Sequence, residues 1–367
     1  MKTRTDSQPS HRRSAEDPVV IPLFGKDEMN LVEFPICPLS PTDEESIEIV
    51  HEVRDRNTKR LVKRGLLITG TKKFGLPRPF DEQVLLGLSS LTHENGATNR
   101  KVHFSQYQLL QTIGWPTDGR AYRRLGECFD RLTSVYLKFS NAWWDKTERE
   151  YRSHGFHLIE SYELCSLDRY SNRRNRTGQR SQPLSSFVWS EVMWKSIGDG
   201  YIRSIDMELF RKIARGRRRE VPIRLFRWLG KKFWPLTKQV VRFDLLRLAE
   251  GTLGLAERYP SQVKRVLERA AQVLIDVGYL SEFQVVERRG GCGWDAVFVR
   301  RSVAARKPTL ITKPKVFDSQ QRLENDRAAA VDEIDAWMSN LSDSALNTNE
   351  QQALDSGFGT EFERKHI

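Results

Sequence analysis

The sequence predicts an α+β protein in which one structural unit occurs twice. The first observation is a repeat: KVHFSQYQLLQTIG at 101–114 returns as VVRFDLLRLAEGTLG at 240–254, and both share V-x-F, a Ser or Asp, a Leu-Leu pair and a closing Gly. The second is a long amphipathic segment after each copy, at 119–134 and 260–278. The third is the β-prone sequence with a polar turn that follows each of those segments.

Each copy of the repeat predicts a strand, a short helix and a turn. The β-prone piece ends at Phe104 in the first copy and at Phe243 in the second. The next residue, Ser105 or Asp244, is of the type that begins a helix, because its side-chain oxygen accepts a backbone N–H bond. A Gly is expected to end the short helix, since glycine adopts the left-handed conformation at low cost.

Further elements complete the order of each unit. Helices are predicted before each copy, at 79–95 and 220–233, with a Pro near the first turn. After the long helices, VYLKFSNAWW, DKTERE and YRSHGFHLIESYEL predict one hairpin, and YLSEFQVVE, RRGGCG and WDAVFVRR predict another. The order helix, strand, helix, helix, strand, strand is that of a winged helix. The predicted fold is therefore two tandem winged-helix domains.

The segments outside these units differ in composition. Five prolines at 18–41 argue against a regular helix, and 60–77 is expected to form a short β-hairpin. A polar helix is predicted at 325–344, within a tail rich in Asn, Gln, Ser and acidic residues. The expected divisions are an extended N-terminal arm at 1–77, winged-helix domains at 78–168 and 220–301, a basic inter-domain segment at 169–219, and a linker with a largely disordered acidic tail at 302–367.

Positive charge is concentrated in the middle of the chain. The 367 residues carry a formal net charge of +12. Residues 78–301 hold 39 basic and 25 acidic side chains, so the whole excess lies there. It is densest in RYSNRRNRTGQR at 169–180 and in RKIARGRRR at 211–219. Such clustering is typical of a surface that binds a phosphate backbone, and a polyanionic partner is expected.

Several other classes of protein are disfavoured. No apolar run reaches the roughly 18 residues of a membrane span, and the first residues lack the apolar stretch of a signal peptide, so a cytoplasmic location is expected. The four cysteines include no C-x-x-C pair. There is no phosphate-binding loop of the ATPase type, and His154 and His157 would point to opposite faces of a strand. We expect no enzymatic activity, no metal and no cofactor.

The candidate DNA-binding residues lie on the polar faces of the two long helices and near the second hairpin. Arginine, lysine and glutamine pair with base edges or phosphates in the major groove. On the first long helix the basic face also includes Arg131. The candidates are Arg120, Arg123 and Arg124 on the first long helix, Gln262, Lys264, Arg265 and Arg269 on the second, Arg288 and Arg289 in the second polar turn, and Lys238 before the second strand.

Four stretches resemble the plasmid family of replication initiator protein A, over roughly residues 18–301. They are IPLFGKDEMNLVEFPI, GLPRPFDEQVLLGL, KVHFSQYQLLQTIGW with GRAYRRLGECFDRLTSVYL, and SQVKRVLERAAQVLIDVGYL. The resemblance implies binding to direct repeats, or iterons, at an origin, distortion of the adjacent duplex, recruitment of a host initiator, helicase or polymerase, and repression of the protein's own promoter. It also implies that the second domain makes most base contacts and that the first domain contacts DNA or forms a homodimer.

Three alternatives remain open at the level of the sequence. A winged-helix transcriptional regulator without origin function would need the same DNA-binding residues. A DNA-nicking initiator would use a tyrosine, for which Tyr151 and Tyr162 are the candidates. An RNA-binding or scaffold protein could carry the same excess of positive charge.

Overall fold

The computed structural model describes residues 24–39, 42–54, 60–165, 184–234, 238–288 and 293–301. Contacts divide the chain into Met1–Ser302 and Val303–Ile367, and all described residues belong to the first of these units. The expected acidic tail at 302–367, with its helix, lies outside the described residues.

Helices and strands are interspersed along the described chain, and the paired strands are antiparallel. The helices are α1 (Met29–Glu33), α2 (Pro79–Glu94), α3 (Gln106–Ile113), α4 (Gly119–Ser134), α5 (Glu191–Gly198), α6 (Met207–Ala214), α7 (Glu220–Lys232), α8 (Leu245–Arg247) and α9 (Pro260–Asp276), with a π-helix at Leu248–Leu253. The strands are β1 (Phe24–Glu28), β2 (Ser46–Arg54), β3 (Leu61–Thr69), β4 (Lys101–Phe104), β5 (Tyr136–Asp145), β6 (Glu150–His157), β7 (Ile159–Glu163), β8 (Ser185–Trp189), β9 (Ile202–Asp206), β10 (Val240–Asp244), β11 (Leu280–Glu287) and β12 (Trp294–Arg300). This combination of helices with antiparallel sheets agrees with the predicted class.

One order of elements occurs twice. The first repeat (79–189) runs α2, β4, α3, α4, β7, β8, with β5 and β6 inserted after α4. The second repeat (220–300) runs α7, β10, α8, α9, β11, β12, with the π-helix after α8. The three strands of each repeat form one sheet, in the order β4-β8-β7 and β10-β12-β11. The last strand therefore lies at the centre of the sheet in both repeats.

The predicted helix ends agree closely with the structure. Ser105 accepts a hydrogen bond from the Gln108 N–H at the start of α3, and Asp244 does the same for the Arg247 N–H at α8. Gly114 ends α3 in the left-handed conformation. These features depend on residues a few positions apart, so local sequence is enough to predict them.

The strands of the first repeat differ from the prediction. β5 and β6 do form a hairpin, but they belong to a four-stranded sheet with the order β2-β3-β5-β6. The sheet of the repeat is completed by β7 and β8, in which Tyr162 lies opposite Phe187. The basic cluster at 169–180 lies outside the described residues, yet the strands on either side of it pair with each other. The expected boundary at 168 thus falls between two strands of one sheet.

The described part of the expected N-terminal arm is packed against the rest of the protein. β1 pairs with β9, and Leu31, Phe34 and Ile36 are buried in the core. The expectation that the prolines exclude a helix is wrong, because the single turn of α1 fits between Pro22 and Pro35. The hairpin expected within 60–77 is also wrong, since β3 pairs with β2 on one side and β5 on the other.

The π-helix results from one extra residue in the second copy of the repeat. The N-cap and the closing glycine are Ser105 and Gly114 in the first copy, and Asp244 and Gly254 in the second, which is one residue longer. A π-helix accommodates an insertion of this kind without moving the flanking turns. Counted from the N-caps, the buried pair Leu109–Leu110 corresponds to Leu248–Ala249. The Leu-Leu pair shared by the two sequences is therefore not equivalent in position.

Replacing Gly251 with Ala should destabilise the protein, although Ala has a higher helix propensity than Gly. A Cβ at Gly251 would lie 1.8 Å from Cε1 of His51, on β2. We expect the free energy of unfolding in urea to fall by about 1–3 kcal/mol, as in other overpacked sites. The control is Gly198→Ala, where a Cβ meets nothing within 4 Å. Equal stability of the two variants would contradict the prediction.

Candidate nucleic-acid interface

The second long helix, α9, presents its predicted candidates on one exposed surface. Its apolar side packs into the core through residues such as Val263, Leu267 and Leu274. The candidates on α9 that are exposed to solvent are Gln262, Lys264, Arg265 and Arg269. Because residues three and four apart share a helix face, Gln262, Arg265 and Arg269 form a continuous stripe.

The donors of this stripe are available to a ligand. Within the described part of the chain, neither Arg265 nor Arg269 makes a hydrogen bond or an ion pair with another residue. Lys264 lies 3.9 Å from Glu268, an exposed pair one turn apart. Such exposed pairs contribute little to stability, so a phosphate can compete for this lysine.

Arg288 has a structural role that its position in a polar turn did not indicate. Its guanidinium donates to Oδ1 of Asp295 through Nε at 2.7 Å and to Oδ2 of Asp244 at 2.7 Å. Asp244 is the N-cap of α8, so this arginine joins the start of α8 to β12. Its two carboxylate partners already occupy Nε and Nη2, which leaves fewer donors for a phosphate.

The change Arg288→Ala should therefore affect stability more than DNA binding. We expect the free energy of unfolding to fall by about 1 kcal/mol, since the side chain is partly exposed and its ion pairs are partly screened. The dependence of DNA affinity on salt should stay as in the wild type. A salt slope lowered by about 1 would instead identify Arg288 as a phosphate contact.

Of the other two candidates near this repeat, one lies within the described residues. Lys238 is exposed just before β10. Arg289 lies outside the described residues. The structure thus places Lys238 at the surface and gives no account of Arg289.

The first long helix, α4, divides its arginines among different environments. Arg120 and Arg123 are exposed in its first turns. Arg124 is exposed too, but its guanidinium lies over the ring of Phe80, 4.5 Å from the ring centre. Arg131 is buried and donates two hydrogen bonds to Asp81, at 2.7 and 2.9 Å, so its predicted place on the exposed face is wrong.

The basic cluster at 211–219 is also divided by its contacts. Arg211 donates to the Thr112 carbonyl at 3.1 Å, and Lys212 pairs with Glu208 at 2.7 Å. Arg217 and Arg218 are exposed in the loop between α6 and α7. The loop half of this cluster is therefore open to a polyanion.

Sequence reasoning missed a group of buried charges beneath these surfaces. Arg227 of α7 donates to both oxygens of Asp27, at 2.7 and 2.8 Å. Arg224 donates to Glu82 at 2.9 Å and to the Leu253 carbonyl at 2.6 Å. These bonds tie β1, α2 and the π-helix to α7. The sequence did contain a signal for this group: Arg224 and Arg227 each stand between apolar residues of the predicted helix.

No site for metal-dependent chemistry is formed by the described residues. They contain no group of three or more His, Cys, Asp or Glu side chains that could hold a metal ion. His154 and His157 lie on β6, and Nδ1 of His157 is 2.7 Å from the Val135 carbonyl oxygen.

A pocket of about 500 Å³ lies between α5 and the β5–β6 hairpin, lined by Trp143, Trp144 and Trp194 among others.

No helix in the described part of the chain is long and apolar enough to cross a membrane. An exposed cationic stripe on a helix, carried by a scaffold of helices and small antiparallel sheets, is typical of nucleic-acid-binding proteins. The family model of replication initiator protein A matches residues 26–271, more than half of the chain. The chain therefore belongs to the replication initiator protein A family and is a replication initiator.

Solved structures that are similar to this chain include those of RctB and of the Pi initiator protein. A crystal structure of domains 2 and 3 of RctB has a TM-score of 0.48 at 13% identity and covers 75% of this chain and 98% of its own. The Pi initiator protein in complex with iteron DNA has a TM-score of 0.42 at 15% identity and covers 71% of this chain and 99% of its own. No curated protein sequence matches the chain.

Proposed function

We propose that this initiator binds double-stranded DNA repeats at its origin sequence-specifically, with α9 as the helix that reads base edges. The observation that carries the proposal is the exposed stripe of Gln262, Arg265 and Arg269, whose arginines have no partner among the described residues. Arginine pairs with guanine and glutamine with adenine through two hydrogen bonds each, so these side chains suit base recognition.

The two repeats act in this proposal as tandem winged-helix domains. The equal order of elements and the equal strand order of the two sheets support this interpretation. α4 would bind a second major-groove segment about one helical turn away, with Arg120 and Arg123 at the DNA. Lys238 and the loop arginines Arg217 and Arg218 would contact phosphates, which supply affinity without sequence information.

Simultaneous binding of both domains would strain the duplex and favour opening of adjacent AT-rich DNA. The initiator would then recruit a host initiator, helicase or polymerase, repress its own promoter, and exchange between monomer and homodimer. This activity needs no catalytic residue and no cofactor from the chain, and it would take place in the cytoplasm.

Fluorescence anisotropy tests the central claim. Purified protein is titrated with duplexes that tile the DNA flanking its gene, with random duplex as competitor and salt varied from about 50 to 200 mM. We expect one tile with direct repeats to bind at least about 10³-fold more tightly than random DNA. Equal binding of all tiles, abolished by salt, would contradict sequence-specific recognition. Duplex RNA as a second competitor separates an RNA-binding protein, which it would displace from DNA.

A plasmid replication assay separates an initiator from a transcriptional regulator. A plasmid that carries only this gene and its flanking DNA should replicate autonomously. If one tile binds specifically in the anisotropy assay but the plasmid does not replicate, the result would favour the transcriptional regulator.

Incubation of the protein with supercoiled origin DNA and Mg²⁺ tests the nicking alternative. Conversion of the DNA to open circles would overturn the non-enzymatic proposal. Tyr162 is poorly suited as a nucleophile, because burial and its hydrogen bond to Asp130 at 2.6 Å raise its pKa to about 12. Tyr151 lies under the guanidinium of Arg64, 3.3 Å from its ring centre.

A further inference from the structure

Positive charge exceeds negative charge where the C-terminal end of α7 meets β9 and β12. Lys231 and Lys232 of α7 share one carboxylate, Glu33, at 2.9 and 2.7 Å. Arg203 of β9 and Arg300 of β12 approach the same end of the helix. Among the described residues neither of these arginines has a carboxylate within 4 Å, so the cationic side chains here outnumber the acids that pair with them.

The guanidinium of Arg203 is held flat against α7. A Cβ at Gly230 would lie 2.2 Å from Nη1 of Arg203, so the arginine fits only because this helix position has no side chain. Nη2 donates to the Arg227 carbonyl at 3.3 Å. Nε is buried and has no hydrogen-bond partner in the described part of the protein. A buried donor without an acceptor is costly, and proteins normally provide one.

Among the described residues, Arg203 makes no hydrogen bond to the carboxylate opposite it. Asp27 lies opposite Arg203 in the β1–β9 pair, but both of its carboxylate oxygens accept hydrogen bonds from Arg227. Burial is the main cause that lowers the pKa of Arg203; Asp27 opposes this effect, and the cations Arg227 and Arg300 add to it. The arginine is thus placed among like charges with only partial compensation.

Tyr279 brings a hydroxyl group to the same place. It follows the end of α9, and its ring packs edge-on against Phe226 with the ring centres 4.8 Å apart. Burial raises the pKa of Tyr279 to about 12, while Arg203 and Arg300 act in the opposite direction because they lie close to it. At neutral pH the phenol therefore keeps its proton and is a donor. No described residue accepts a hydrogen bond from it.

We propose that Arg203, Arg300 and Tyr279 form a binding site for a phosphate group, separate from the DNA-reading surface of α9. Asp276, the last residue of α9, lies near this site. The helix rises about 16 Å along its axis between Arg265 and Asp276. The site is therefore at the far end of the helix from its first turns, where Gln262 and Arg265 lie.

The donor set matches phosphate better than a single carboxylate. Arginine presents planar pairs of N–H groups that fit two oxygens of a phosphate, and a tyrosine hydroxyl can donate to a third. A phosphate monoester carries a charge of about −1.5 to −2, which is suited to two arginines that share no acid. The phosphate could belong to a free mononucleotide or to the backbone of DNA.

Isothermal titration with inorganic phosphate tests the site on the full-length protein. We expect the wild type to bind phosphate, and the Kd to rise about tenfold in Arg203→Gln and in Arg300→Gln, since each removes one charge-assisted contact. The matched control is Arg258→Gln, an exposed arginine before α9 that should leave the Kd unchanged. Arg300→Gln keeps the test valid if Arg203→Gln does not fold, because Arg300 lies at the end of β12 and forms no ion pair within the described chain.

Two further arms identify the source of the phosphate. Thymidine monophosphate should bind the wild type more tightly than Arg300→Gln if the ligand is a nucleotide. The salt slope of binding to random duplex should fall by about 1 in Arg300→Gln if the ligand is the DNA backbone. Absence of phosphate binding to the wild type, equal Kd values in all variants, or binding of a polyglutamate peptide in place of phosphate would overturn the proposal.

Discussion

Replacing both Arg265 and Arg269 with Ala should abolish most of the preference for origin DNA over random DNA. Each arginine that reads a base contributes about 1–3 kcal/mol of discrimination, and both are exposed on the same stripe of α9. Binding to random duplex should weaken much less, because the remaining cations still contact phosphates. Since the two side chains are exposed and make no hydrogen bond or ion pair with other described residues, the fold should be unaffected.

Anisotropy titrations with the specific tile and with random duplex, at one fixed salt concentration, measure this effect. The control is Lys212→Ala, an exposed cation on α6 that pairs with Glu208 at 2.7 Å and should leave the ratio of the two affinities unchanged. If the double variant loses the same factor on both duplexes, the two arginines are phosphate contacts and another surface reads the bases.

Replacing Arg227 with Ala should lower the free energy of unfolding by about 3–5 kcal/mol, the cost of breaking a buried ion pair by removing one partner. Arg227 is buried, donates twice to Asp27 and lies 3.7 Å from Glu82. Burial acts to lower the pKa of Arg227, but Asp27 and Glu82 outweigh it and raise that pKa. The alanine variant would leave buried carboxylates without this compensation.

Urea unfolding of the purified protein measures the loss. The variant Asp27→Leu/Arg227→Met should recover part of the stability, because it removes both members of the pair and keeps the volume filled. Lys212→Ala serves as the exposed control, with an expected change below about 0.5 kcal/mol. A loss in Arg227→Ala as small as that of the control would show that the buried charges are solvated in another way.

This ionic group explains why the N-terminal segment is part of the fold. Asp27 reaches α7 from β1, and Arg224 of the same helix donates to the Cys37 carbonyl at 3.0 Å. The segment 24–39 thus supplies acceptors to two arginines that would otherwise be buried without enough partners. A sequence rich in proline indicated an extended arm, but its polar atoms complete the core.

The amino-acid sequence alone was sufficient for features that arise from neighbouring residues. The ends of α4, the N-caps Ser105 and Asp244 and the exposed stripe of α9 all follow from contacts within about one helical turn. Family membership also followed from the sequence, since its motifs overlap the segment that the family model matches.

Contacts between residues that are distant in the chain could be determined only from the tertiary structure. The pairing of β7 with β8, the position of β3 between β2 and β5, and the burial of Arg131 against Asp81 each join residues many positions apart. An arginine on the polar side of a helix has the same local pattern whether it meets solvent or a buried carboxylate. Only the packing of α2 against α4 distinguishes Arg131 from Arg123, because burial and a fixed acceptor are properties of the folded core.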